Sequence, residues 1–91
     1  MDDLHSQAHA FINGPYIIGE HSHLILRYVD GKLGDDPEAQ NLLSRCLQTA
    51  QTEAARFEGA TSGPARDARY FYQRAAELLK AIQDEMAARL Q

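Results

Sequence analysis

Residues 64–91 read PARDARYFYQRAAELLKAIQDEMAARLQ, and this stretch decides the fold. Ala68, Phe71, Tyr72, Ala75, Leu79, Ile82, Met86 and Leu90 recur along it at three- and four-residue spacing, with no glycine or proline after Pro64. Apolar side chains at that spacing share one face of an α-helix, because the helix turns once every 3.6 residues. A stripe this long cannot be sheltered by its own helix, so it is buried against the rest of the chain or against a partner. Pro64 suits the first helical turn, where a missing N–H leaves no hydrogen bond unmade. At ~1.5 Å per residue the helix over 64–90 runs about 39 Å.

Moving outward, a second long helix is expected over 37–58. Asp36 is a good N-cap, Pro37 fits the first helical position, and Glu38 complements the positive end of the helix dipole. Its buried face is Ala39, Leu42, Leu43, Cys46, Leu47, Ala50, Ala54 and Phe57. The small, polar stretch Gly59 to Gly63 is a short connector, so the two helices fold back as an antiparallel hairpin. Ala50, Ala54, Ala68 and Ala75 let them come close. The first of the pair spans only ~31 Å, so the tail of the second projects past it unless something else covers Met86 and Leu90.

Two shorter segments precede the hairpin. Asp2 or Asp3 caps a helix over 3–13, with Leu4, Ala8, Phe11 and Ile12 on one side and Asn13-Gly14-Pro15 ending it. Segment 16–33 has two readings. As a helix it lines up Ile18, His21, Ile25, Tyr28, Val29 and Lys32, with Gly19 as a kink or late start. As a hairpin it pairs Tyr16–Ile18 with His23–Val29 around a turn at Gly19–Ser22. Leu24, Ile25 and Leu26 run together instead of alternating, which favours the helix. The expectation is one all-α domain over residues 1–91, of three or four helices built on a long antiparallel helical hairpin.

Composition excludes several function classes. At 91 residues the chain is one small domain, and at that length folding buries roughly 60–65 % of the unfolded surface, so a partner is an easy source of further burial. An apolar fraction of 44 % against 24 % charged is that of a globular chain. The net charge of −4 disfavours a nucleic-acid role, which needs clustered lysine and arginine. A lone cysteine, Cys46, permits no internal disulfide. The acidic start, Met1-Asp2-Asp3, does not read as a signal peptide, and the longest apolar runs are too short to span a bilayer, so a cytoplasmic location is expected.

Catalytic machinery is not legible, and a non-enzyme is expected. Cys46 falls mid-helix on the apolar face, where a cysteine acts as a small apolar filler and not as an activated thiolate. The serines stand in no nucleophile-elbow motif, and Gly59–Gly63 lacks the lysine of a phosphate loop. The four histidines all lie near the start of the chain. His5 and His9 share a helical face and, with His21 and His23, form a candidate nitrogen-rich site for zinc or nickel. Against that, no HExxH or Cys-x-x-Cys pattern supports it, and His21 lies on an apolar stripe where a buried structural imidazole is the ordinary outcome.

Recognition is better signalled than chemistry. Arg66, Tyr70 and Arg74 are each four apart on the last helix, so they stack along one side, and Tyr70 turns away from the buried stripe. Tyrosine and arginine are the residue types enriched at binding hot spots. An acidic protein surface is the partner this ridge suits, while Ile82, Met86 and Leu90 are the candidates for apolar docking. The expected function is a small regulatory or adaptor protein that binds another protein, or itself as a homodimer, through helices. A metal-binding protein using the histidine cluster is the alternative.

A further alternative comes from a likeness. Arg27-Tyr-Val-Asp-Gly-Lys-Leu33, followed by an acidic turn and a new helix from Pro37, resembles the helical amino-terminal domain of bacterial anti-sigma factors. Those domains carry a tyrosine–x–Asp–Gly–x–Leu turn between two helices. In zinc-binding members an upstream histidine or cysteine joins a later His-x-x-x-Cys-x-x-Cys. The resemblance implies that His21 or His23 stands for the upstream ligand and Cys46 for one cysteine. Leu42 and Thr49 occupy the other two positions, so the implied zinc set is incomplete. It covers under a third of the chain and implies a transcription regulator that binds a sigma factor.

Overall fold

The computed structural model describes residues 3–14, 19–34, 37–59 and 61–89. These form four helices, α1 (Leu4–Ile12), α2 (Gly19–Val29), α3 (Pro37–Arg56) and α4 (Gly63–Arg89), with no strand among the described residues. The all-α expectation holds, and the described part of the second segment, Gly19–Val29, is a helix. The expected caps from Asp2 and Asp36, the start of the second segment at Tyr16–Ile18, and Leu90 lie outside the described residues.

The helix ends follow from local chemistry. Asp3 is extended, and its carboxylate accepts the Ser6 N–H at 2.8 Å, capping α1. Asn13 closes that helix by donating its N–H to the His9 carbonyl at 3.2 Å. At the end of α2, Gly31 takes the left-handed conformation with φ 70°. Its N–H donates to the Tyr28 carbonyl at 3.1 Å, while the Lys32 N–H reaches back to Arg27 at 2.8 Å. This is a Schellman cap, and it ends α2 at Val29, short of the expected 33. Lys32 therefore lies beyond α2 and is exposed, not on the expected stripe. The third helix ends at Arg56, slightly short of expectation, and Phe57 to Gly59 form a turn in which Gly59 has φ 79°.

The antiparallel hairpin is observed. As α3 advances from Ser44 to Phe57, α4 retreats from Gln83 to Tyr72: Gln83 donates to the Ser44 hydroxyl at 2.6 Å, and the Phe57 and Tyr72 rings stack at 6.3 Å. The first two helices cover the other side of α4. Across it, Phe11 of α1 meets Phe71 at 5.2 Å, and Tyr28 of α2 reaches Glu85 near the far end. Helix α1 thus runs antiparallel to α4, and α2 parallel to it, giving an up-down-up-down arrangement. The long axis of the molecule, 43 Å, is set by the 27-residue α4.

The core is continuous: Ala8, Leu24, Ile25, Ala39, Leu43, Cys46, Leu47, Leu78, Leu79, Ile82 and Met86 pack together. Two expectations are corrected here. Ile82 and Met86, expected as apolar docking residues, are only 0 % and 2 % exposed. The tail of α4 does not project past α3 as expected: with Ser44 level with Gln83, the first turns of α3 from Pro37 run alongside it, α1 and α2 close the other side, and Met86 floors a depression lined by His5, Tyr28, Val29 and Leu33. Leu78, absent from the expected stripe, is fully buried as well. A helix with neighbours on both flanks buries a wider arc than a two-helix hairpin requires. Full burial of each such side chain contributes about 1.5–3 kcal/mol.

Candidate functional site

The site begins with two side chains one helical turn apart. Tyr70 and Arg74 lie on the N-terminal half of α4 and border a groove of about 360 Å³ whose opposite wall is α1, through Gln7, Ala10 and Phe11, with Gly14 just beyond its end. Phe71 is the buried floor, and its ring contacts both Phe11 and Tyr72 at 5.2 Å. Tyr70 behaves differently. It is 69 % exposed, while its neighbour Phe71 is 3 % exposed, although the two are adjacent in sequence. A helix rotates about 100° per residue, which puts one ring in the core and the next on the rim.

Arg74 is held in place. One guanidinium nitrogen donates to the Gln7 side-chain carbonyl at 3.1 Å, bridging α4 to α1, and another donates to Glu77 at 2.9 Å. The ion pair is half open to solvent and adds little stability, so its effect is orientation. Arg66 is exposed one turn before Tyr70 and continues the ridge. At the start of α4 the Ser62 hydroxyl caps the Ala65 N–H at 3.3 Å, and no acidic residue occupies the first turn. An arginine this close to a helix start opposes the dipole by a few tenths of a kcal/mol, which stability alone does not explain.

A second concavity lies between α2 and α3. A cavity of about 190 Å³ is lined by His21, Leu42, Arg45, Cys46 and Thr49. Leu42, Cys46 and Thr49 of α3 line it with His21 of α2, whereas His23 is exposed. His21 is nine-tenths buried, with its ring edge-on to Tyr72 at 5.7 Å. The donors do not fit zinc. A structural site takes four nitrogen or sulfur ligands, and here only an imidazole and a thiol are present, with Leu42 offering no donor at all.

The candidate histidine site does not assemble. His5 on α1 pairs through Nε2 with the Val29 carbonyl at 3.0 Å, and the His9 ring pairs with the Asn13 side-chain amide at 3.0 Å. His21 is enclosed between α2 and α3, apart from both. Among the described residues no three His, Cys, Asp or Glu side chains are grouped to hold a metal ion. His5 and His9 lie on α1 and His21 and His23 on α2, and the first three meet different neighbours.

Of the sequence-derived binding residues, the structure brings Tyr70 and Arg74 together at one groove, sets Arg66 beside it, and places Ile82 and Met86 in the core. Gln7 and Phe11 were not anticipated as groove residues. Phe11 was visible as an apolar position on α1, but only tertiary packing shows that α1 lies against the N-terminal half of α4. The class defined by the described residues is a small four-helix domain with an aromatic groove between α1 and α4 and a cavity between α2 and α3. No family model, no curated protein and no solved structure matches the chain. Among the described residues no helix is long and apolar enough to cross a membrane.

Proposed function

We propose that this protein is a small non-enzymatic regulatory or adaptor protein of the cytoplasm that binds another protein through the groove between α1 and α4. The observation that carries the reading is Tyr70, an aromatic ring left 69 % exposed on the rim of an apolar groove floored by Phe71 and Phe11. A large amphipathic ring beside an oriented guanidinium is the composition of a binding hot spot. An apolar side chain of the partner enters the groove, and Arg74 and Tyr70 fix its register. Ile82 and Met86 are buried, so this reading rests on the groove and not on them, and takes a different protein as the partner, with a second copy as the alternative.

The test is Tyr70→Ala. As an exposed residue its loss leaves thermal stability within about 0.5 kcal/mol. Loss of a hot-spot aromatic weakens partner binding by about 2 kcal/mol or more. A protein captured by the wild type, purified and measured by calorimetry, is expected to lose affinity for the variant. If no captured protein distinguishes the two, the reading fails. A dimer mass by light scattering that Tyr70→Ala reduces to monomer makes a second copy the partner on the same groove.

A second reading is favoured by the cavity between α2 and α3. The positions of His21, Leu42, Cys46 and Thr49 converge there, and Arg27 to Leu33 form the capped junction between the two helices. That convergence supports an anti-sigma-like regulator lacking the zinc set, with a sigma factor as partner. Co-expression with sigma factors of the same genome, followed by gel filtration, tests it: the absence of any co-eluting pair would falsify this version.

A further inference from the structure

The groove between α1 and α4 also carries information on the chemistry of what it binds, and the inference below rests on the protein-binding reading above. Helix α1, Leu4–Ile12, contains no carboxylate, and α4 from Gly63 to Arg74 contains Arg66, Arg69 and Arg74 against Asp67 alone. Arg74 is the charged residue that lines the groove, and Arg66 continues its ridge beyond the rim, so the α4 edge of the groove carries positive charge on a chain whose net charge is −4. Arg66, Tyr70 and Arg74 form one ridge at four-residue spacing, and Arg69 with Gln73 forms the adjoining one. The opening, about 360 Å³, is at the small end of ligand pockets, which run to ~1,000 Å³, and suits an anchoring side chain.

We propose that the segment bound here is an acidic amphipathic helix, which inserts one aromatic or aliphatic side chain between Phe11, Tyr70 and Phe71 and lays its carboxylates along Arg66, Arg69 and Arg74. Helix-in-groove docking reads anchors at i, i+3 and i+4, and the arginine ridge has that same periodicity. Guanidinium groups fit carboxylates in planar, two-point fashion, so the charge pattern selects acidic partners and sets register. Three arginines on a molecule of net negative charge are too few for nucleic acid, which rewards a larger basic surface.

Selection of helical peptides from a random display library on the immobilised full chain tests both levels. Selected peptides are expected to be net acidic with at least one Leu, Phe or Trp, to lose binding to Tyr70→Ala, and to weaken about tenfold or more on the double variant Arg66→Glu, Arg69→Glu. Arg66 is exposed and Arg69 partly so, and circular dichroism confirms that the variant is folded. The same variant is expected to favour basic peptides in a repeat selection. Peptides that depend on Tyr70 but show no acidic bias overturn the charge inference and leave the protein-binding reading standing. If no peptide depends on Tyr70, both fall. Retention of a short DNA duplex at low salt, lost in the double variant, replaces the acidic helix with nucleic acid.

Discussion

The Tyr28 hydroxyl on α2 donates a hydrogen bond to the Glu85 carboxylate on α4, joining residues 57 positions apart at 2.5 Å. This contact fastens α2 to the C-terminal half of α4, which α3 flanks on another side through Ser44 and Gln83. Tyr28→Phe removes the donor and leaves the ring. A hydrogen bond to a charged acceptor that is only partly buried contributes about 1–2 kcal/mol. The expected outcome is a midpoint lowered by roughly 4–8 °C per kcal/mol in a domain of this size, followed by circular dichroism. An unchanged melt shows that the contact does not hold the tail.

Ile82→Ala and Met86→Ala report on folding and not on a docking surface. Both side chains are enclosed in the core, and such truncations cost about 2–5 kcal/mol. Chemical denaturation is expected to show a clear fall in midpoint for each variant. If either is silent for stability but defective in partner binding, the residue faces a partner after all.

Gly31→Ala isolates a backbone effect. The φ of 70° is left-handed, and nothing lies within 4 Å of an added Cβ, so no steric clash complicates the result. An L-residue there costs about 1–2 kcal/mol, offset in part by a stiffer unfolded chain. Gly31→Asn should cost less, since asparagine tolerates this conformation. The order Gly, Asn, Ala in thermal midpoint is the expected outcome.

Asp3 makes the capping of α1 pH-dependent. The Ser6 backbone N–H, and next its hydroxyl, hold the Asp3 carboxyl below its ordinary value of 3.8. A folded-state value below the unfolded one means that the stabilisation is present above pH ~3.8 and fades as pH falls through the lowered value. Asp3→Ala is therefore expected to melt earlier than the wild type at neutral pH, with the two curves converging in strong acid. Asp3→Asn keeps a capping oxygen without the titration and should show no such convergence.

Local patterning carried much of the architecture. The spacing of Phe71, Ala75, Leu79, Ile82 and Met86 announced α4, and the short connector before Pro64 announced an antiparallel return. Each of these is a property of neighbouring residues: helical period and chain length available for a turn. The ridge of Arg66, Tyr70 and Arg74 was legible for the same reason.

Which surface each helix spends on its neighbours was not legible. Residues Ile82 and Met86 read as a free apolar tail because nothing local says that α1 and α2 fold over it. Leu78 was missed because its burial needs partners on both flanks of α4. The histidines looked like one cluster because they are near in sequence, yet His21 packs beside Cys46 while His5 and His9 lie on α1. Periodicity along the chain thus determined the helices and their order. Only tertiary packing decided which stripes became core and which groove stayed open, because burial depends on contacts between residues far apart in the chain.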